Sequence, residues 1–339
     1  MKILLLSMLL MAASVTEAYD FKALADKHIL PGYLELKNQT ASLHKAGTSF
    51  CNQHNNNHLE PLTNAFRSAF LSWQSMQHIR FGPIQYLTRQ HRYQMWPDKR
   101  SSVSKHLARL LQDPDLHKAD FDISGKSVAV QGFSALERLL FTDKPIDASR
   151  CKVIVAITGN LQKMSANLLT DWADGDASYA SLFGTASEGN DIFESDIDLA
   201  SQLLNSLHTQ LEVIVTQKLD RPLDNTINKA RGKRSEAWRS QSSMLAIQNN
   251  LIATQKLYKL TFANKLNKAL ADKIDVQFIK AIMTIDHIQL PLKEAVTETS
   301  QREKLMMLRQ QVSLLKRLIA KSLANKLNLL LGFNSLDGD

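Results

Sequence analysis

Residues 127–141 read SVAVQGFSALERLLF, and this stretch decides the fold class. Val128, Phe133, Leu136, Leu140 and Phe141 recur at helical spacing, which predicts one buried helix across the segment. Glu137 sits in its middle with apolar neighbours on both sides. A lone buried charge is costly, so Glu137 must be paired, protonated or bound to a ligand. Gly132 lies one turn earlier, where a helix-interior glycine costs about 1 kcal/mol against alanine. A glycine at such a place lets another backbone or a ligand approach closely. Ser134, three residues before Glu137, shares its helix face. The structural alternative is a core helix whose one carboxylate is salt-bridged to an arginine.

Outward from this stretch, helical patterns fill the chain. They cover 20–50, 59–79, 101–111, 148–172, 192–219, 241–262, 264–290 and 297–331. Pro31-Gly32 is expected to kink or restart the first of them. With only 12 Gly and 8 Pro, and few alternating β-branched runs, the composition is that of an all-α protein. Residues 174–190 (DGDASYASLFGTASEGN) read as a linker. They divide an N-terminal bundle (19–173) from a C-terminal one (191–339), each of roughly four helices with short loops.

Residues 1–18 (MKILLLSMLLMAASVTEA) have a basic n-region, an apolar h-region and a small residue at the end, so they read as a cleavable signal peptide. Export to the periplasm follows as an expectation. The apolar run is too short to span a membrane, and no later stretch reaches spanning length. The two cysteines, Cys51 and Cys151, form a disulfide in an oxidising compartment or else remain buried thiols.

Net charge is +8 and unevenly placed. Residues 171–198 carry eight acids and no Lys or Arg, whereas 218–274 carry twelve Lys or Arg and four acids. A basic segment steers anions. The absence of aromatic interleaving and the export signal argue against nucleic acid. The polar run 52–58 (NQHNNNH), with His54 and His58, reads as a solvated loop, and the acids near Asp176 fit no calcium loop. No HExxH pair of the kind zinc-peptidase chemistry needs occurs, and no GxSxG elbow is present.

The remaining candidates cluster at helix ends: Gln77, His78, Arg80, Trp96, Asp98 and Glu137, then Arg234, Glu236, Trp238 and Arg239. They fall within WQSMQHIRFGPI (73–84), WPD (96–98), VQGFSALERLLF (130–141) and RSEAWRS (234–240), followed by GFNSLDGD (332–339). In this order the stretches resemble the imelysin-like family of exported bacterial proteins, across nearly the whole mature chain. Gly132 and Glu137 match its GxHxxE signature, Arg80 an arginine before its glycine turn, and Trp96-Pro97 its WP step. Ser134 stands at the signature His, and Gln77 where related sequences often have Glu.

The resemblance implies two four-helix-bundle halves with the signature helix facing a cleft between them. It implies a link to iron uptake, and a peptidase label drawn from the motif. With His and Glu lost, a cation site reduces to Glu137 and Asp98, with His78 as a further candidate, weighed against Glu137 pairing with Arg80 or Arg239. The reading is a non-enzymatic binding or accessory protein of iron acquisition. Its ligand is iron or an iron complex, held by Gln77, His78, Arg80, Trp96, Asp98, Gly132, Ser134, Glu137, Arg234, Trp238 and Arg239. The alternatives are a metallopeptidase and a protein that binds a partner in the envelope.

Overall fold

The structure is a computed structural model, and it describes residues 18–53, 59–175 and 178–332. The signal peptide, except Ala18, and the His54–His58 run lie outside the described residues, as do Ala177 and Asp176. The described residues contain helices and no strand. The long elements are α1 (Leu30–Gln53), α2 (Leu59–Met76), α3 (Ser102–Leu110), α4 (Phe133–Leu140) and α5 (Ala148–Ala173). They are followed by α6 (Asp196–Glu212), α7 (Ser243–Thr261), α8 (Lys268–Asp286) and α9 (Thr299–Arg317).

α1 packs on α2 and α5, forming the first bundle. α6, α7, α8 and α9 pack among themselves as the second. The fold is therefore all-α, with two sequential four-helix-bundle-like halves. They meet where α2 lies against α7, and one continuous apolar core runs through both. Phe66 and Phe70 on α2 turn the same face inward and meet Phe133 of α4 edge to face. α1 begins beyond a π-helical turn, Ala25–Ile29, and runs through Pro31 and Gly32 unbroken. The proline follows directly on that π-helical turn, where the regular i→i−4 hydrogen-bond ladder is already interrupted, so its missing N–H costs less than in a regular helix interior.

Two expectations about local structure change. The segment 127–141 is not one helix. Val128–Val130 is a 3-10 turn, and α4 starts at Phe133 with Gly132 as its extended N-cap. A Cβ on Gly132 would lie 2.2 Å from the carbonyl oxygens of both Arg92 and Tyr93, so the glycine serves a close backbone approach outside the helix. The stretch 174–190, expected to be a polar loop, contains the helix Tyr179–Gly184. Its Tyr179 and Phe183 are buried against Trp172. Apolar burial outweighs the flanking Gly and Ser there. Cys51 and Cys151 form a disulfide that ties the end of α1 to the start of α5.

Candidate functional site

Glu137 is buried, 5% exposed, on the inward face of α4. It lies in the first bundle, and its partners lie in the second. One carboxylate oxygen accepts from the backbone N–H of Arg239 (3.0 Å), the N–H of Ser240 (2.9 Å) and the Ser240 hydroxyl (3.0 Å). These donors come from the turn before α7. Ala237 and Gln241 hold left-handed backbone there, at φ 47° and 59°, which bends the chain back on itself. Burial pushes the Glu137 carboxyl up, while the Ser240 donors and the Arg239 and Arg138 charges pull it down. The expected partner side chain is replaced by main-chain amides: no ion pair joins Glu137 to Arg80 or Arg239 among the described residues. An acceptor carrying full charge makes such hydrogen bonds stronger than neutral ones.

A second buried carboxylate, Glu236, anchors the same turn in the opposite sense. It pairs with Lys218 at 2.7 Å and accepts from Gln94 (2.8 Å) and Gln74 (3.4 Å) of the first bundle. Lys218 also donates to Gln74 (2.7 Å) and to Asn250 of α7 (2.5 Å). Trp73 donates to Gln94 at 2.9 Å. Burial pulls the Lys218 ammonium down, and Glu236 pushes it back up. Each half thus contributes one buried carboxylate to donors of the other, and the turn 235–242 is held from both sides. A buried polar network of this kind specifies a unique packing when its members are satisfied.

The turn and α4 enclose a cavity of about 130 Å³. Phe66, Phe70 and Phe133 form its apolar part, and Trp96, Ser134 and Trp238 line it as well. Its charged lining is Arg138, Arg221, Lys233, Arg234 and Arg239 against Asp98 and Glu137. Trp238 has three cations over its ring: Arg239 at 4.2 Å, Lys293 at 5.2 Å and Lys233 at 5.7 Å from the centroid. Burial lowers the Arg239 and Arg221 guanidiniums, and the like charges of Arg138 and Arg234 lower them further.

Of the residues singled out in the sequence, Trp96, Asp98, Ser134, Glu137, Arg234, Trp238 and Arg239 therefore line one cavity. Gln77, His78, Arg80 and Gly132 are not in its lining. Gln77 accepts from Gln210 at 3.4 Å. His78 is fully buried with His28, Nε2 to Nε2 at 2.8 Å. Burial lowers the Arg80 guanidinium to about 10. Gly132 only admits the Arg92 and Tyr93 backbone.

The donor set does not fit a bare iron ion. The bonded oxygen of Glu137 is already shared among three donors. Asp98 accepts from the N–H groups of Ser102 (2.7 Å) and Val103 (3.1 Å) at the start of α3, and from Arg138 at 3.3 Å. Ser134 donates to the Met95 carbonyl at 3.0 Å. Among the described residues no three His, Cys, Asp or Glu side chains gather closely enough to hold a metal, and hard cations want several free oxygens or imidazoles.

Sequence reasoning missed Ser240, the central donor. Nothing in RSEAWRS marks it, because two of the three bonds to Glu137 are main-chain N–H groups that every residue type carries. Arg221 and Lys233 were legible only as part of the basic segment 218–274, and Arg138 only as the residue that follows Glu137.

An all-helical two-bundle protein with a basic pocket at the junction of its halves is the class that fold and site define. The sequence pattern of the Imelysin family (Peptidase M75) matches residues 29–319, and the chain belongs to that family. Among solved structures, it is similar to an imelysin-like protein from Psychrobacter arcticum 273-4. The two share 20% identity with a TM-score of 0.78, over 92% of this chain and 96% of that one. It is also similar to a protein described as an iron-regulated protein A precursor, from Parabacteroides distasonis ATCC 8503. There the identity is 15% and the TM-score 0.74, over 91% of this chain and 96% of that one. A comparison with curated proteins finds no match.

Proposed function

We propose that this is an exported, periplasmic binding component of iron acquisition, non-enzymatic, whose ligand occupies the cavity beside Glu137. The observation that carries the reading is the engagement of Glu137 itself. One of its two oxygens is held by Arg239 and Ser240, which favours a carboxylate that shapes the pocket over one that serves as a general base. Ser134, at the position of the signature His, donates to a backbone carbonyl and offers no imidazole to a metal or a proton. Two tryptophans and a set of cationic side chains converge on the same space, which suits recognition. The leader at residues 1–18 and the iron-regulated relative support the location and the pathway.

The test is genetic. Deleting the coding sequence should lower cellular iron under chelator-limited growth. A full-length copy should restore it, and a copy lacking residues 1–18 should not. Unchanged cellular iron in the deletion strain, or equal rescue by the leaderless copy, would overturn the proposal.

A further inference from the structure

The geometry points to a small oxyanion carrying at least two negative charges, a polycarboxylate or a phosphate, as the ligand of the cavity beside Glu137. This rests on the reading of that cavity as the binding site, and it names the chemistry of what binds. Five cationic side chains line the cavity against two acids, an excess of three positive charges, and both acids already accept hydrogen bonds from the protein. Asp98 is held by the first amides of α3 and by Arg138, and Glu137 by the turn at Arg239 and Ser240. No carboxylate lies within ion-pair distance of the Arg221, Lys233 or Arg239 side chains among the described residues, and Arg234 reaches Asp224 only at 3.8 Å.

Like charges gathered without counter-charge raise one another's energy, and a multiply charged anion relieves them together. Guanidinium groups match carboxylate and phosphate oxygens in bidentate geometry. Lys233, Arg239 and Lys293 are held around the Trp238 ring, so part of the cost of ordering them is met before binding. The volume of about 130 Å³ has room for roughly four waters at about 30 Å³ each, the scale of a phosphate or a small carboxylate. Iron then reaches this site as an anionic chelate, with the metal coordinated by the chelator and the protein recognising the chelator's free oxygens and net charge.

Calorimetry on the purified mature chain separates the cases, with four probes in separate titrations: citrate, inorganic phosphate, ferric citrate and anaerobic ferrous iron without chelator. The expected result is saturable binding of at least one of the three anions. Its affinity should fall about tenfold or more in about 0.3 M salt, as screening of exposed charge requires. The Lys233→Gln and Arg234→Gln variants together should weaken it about tenfold or more, the effect of losing two charged contacts, with an unchanged melting temperature. Both residues are exposed on a 3-10 turn, so the fold does not rest on them.

Ferrous iron binding with no anion bound would overturn the inference, and so would anion binding that ignores both substitutions. Free citrate or phosphate binding without ferric citrate would support it and would instead count against the iron pathway.

Discussion

Ser240 donates both its backbone N–H and its hydroxyl to the same oxygen of Glu137, at 2.9 and 3.0 Å, across the junction of the two bundles. Truncating Glu137 to alanine leaves the Ser240 and Arg239 N–H groups without an acceptor, while the Ser240 hydroxyl keeps the Ala237 carbonyl at 3.1 Å. Each unsatisfied group costs about 1–3 kcal/mol, so Glu137→Ala should destabilise the fold by about 3 kcal/mol or more. Glu137→Gln keeps an acceptor oxygen and should cost about half of that. Urea unfolding of both variants measures the difference. Equal stability of wild type and Glu137→Ala would mean that these bonds contribute nothing.

Gly132 offers a sharper steric test. Its backbone is extended, φ −139°, a conformation open to any residue, so only space forbids a side chain. With two carbonyl oxygens 2.2 Å from the added carbon, Gly132→Ala should cost about 3 kcal/mol. It should also lower ligand affinity, because α4 carries Ser134, Glu137 and Arg138 into the cavity. Thermal unfolding and a binding titration on the same sample check both.

His28 and His78 make the protein acid-sensitive. Burial, helped by the Lys256 charge, lowers His28 from 6.5 to about 3. Burial, with His28 and Arg80, lowers His78 well below the usual histidine range. Both are neutral in the folded chain and take up protons in the unfolded chain. Stability is therefore full above 6.5 and is lost as the pH falls from there towards about 3. Each histidine contributes a slope of about 1.4 kcal/mol per pH unit. Unfolding free energies from urea titrations at about pH 7 and about pH 5 should differ by roughly 4 kcal/mol for the pair, and His28→Gln should remove about half of this.

The Cys51–Cys151 bridge closes a loop of 100 residues. On the chain-entropy account a loop of that length stabilises by about 4–5 kcal/mol. Reduction, or a Cys51→Ser and Cys151→Ser pair, should lower the melting temperature by about 10 °C. An identical melt in reductant would show that the bridge carries no stability.

How much of this was legible follows the periodicity. α2, with Leu62, Phe66, Phe70, Trp73 and Met76 on one face, was readable because an apolar stripe at helical spacing has one packing solution. α4 was readable in its second half only. The N-terminal boundary was misplaced because Val128 and Val130 continue the apolar count through a 3-10 turn. Glu137 announced itself, since an acid among apolar neighbours always needs an explanation. Its partners did not, because main-chain amides have no sequence signature. His78 and Arg80 were drawn towards the site by their closeness in sequence to a helix end. The fold instead turns His78 inward onto His28, a residue fifty positions away that no local pattern connects to it.

Two of the tryptophans, Trp96 and Trp238, line the cavity, whereas Trp73 and Trp172 are buried in the core. Fluorescence therefore reports on the cavity directly. Titrating ferric citrate into the protein should give saturable quenching that disappears in the Trp96→Phe, Trp238→Phe double variant. Saturable quenching of the same depth in that double variant, carried by Trp73 and Trp172, would place the ligand elsewhere and contradict the account.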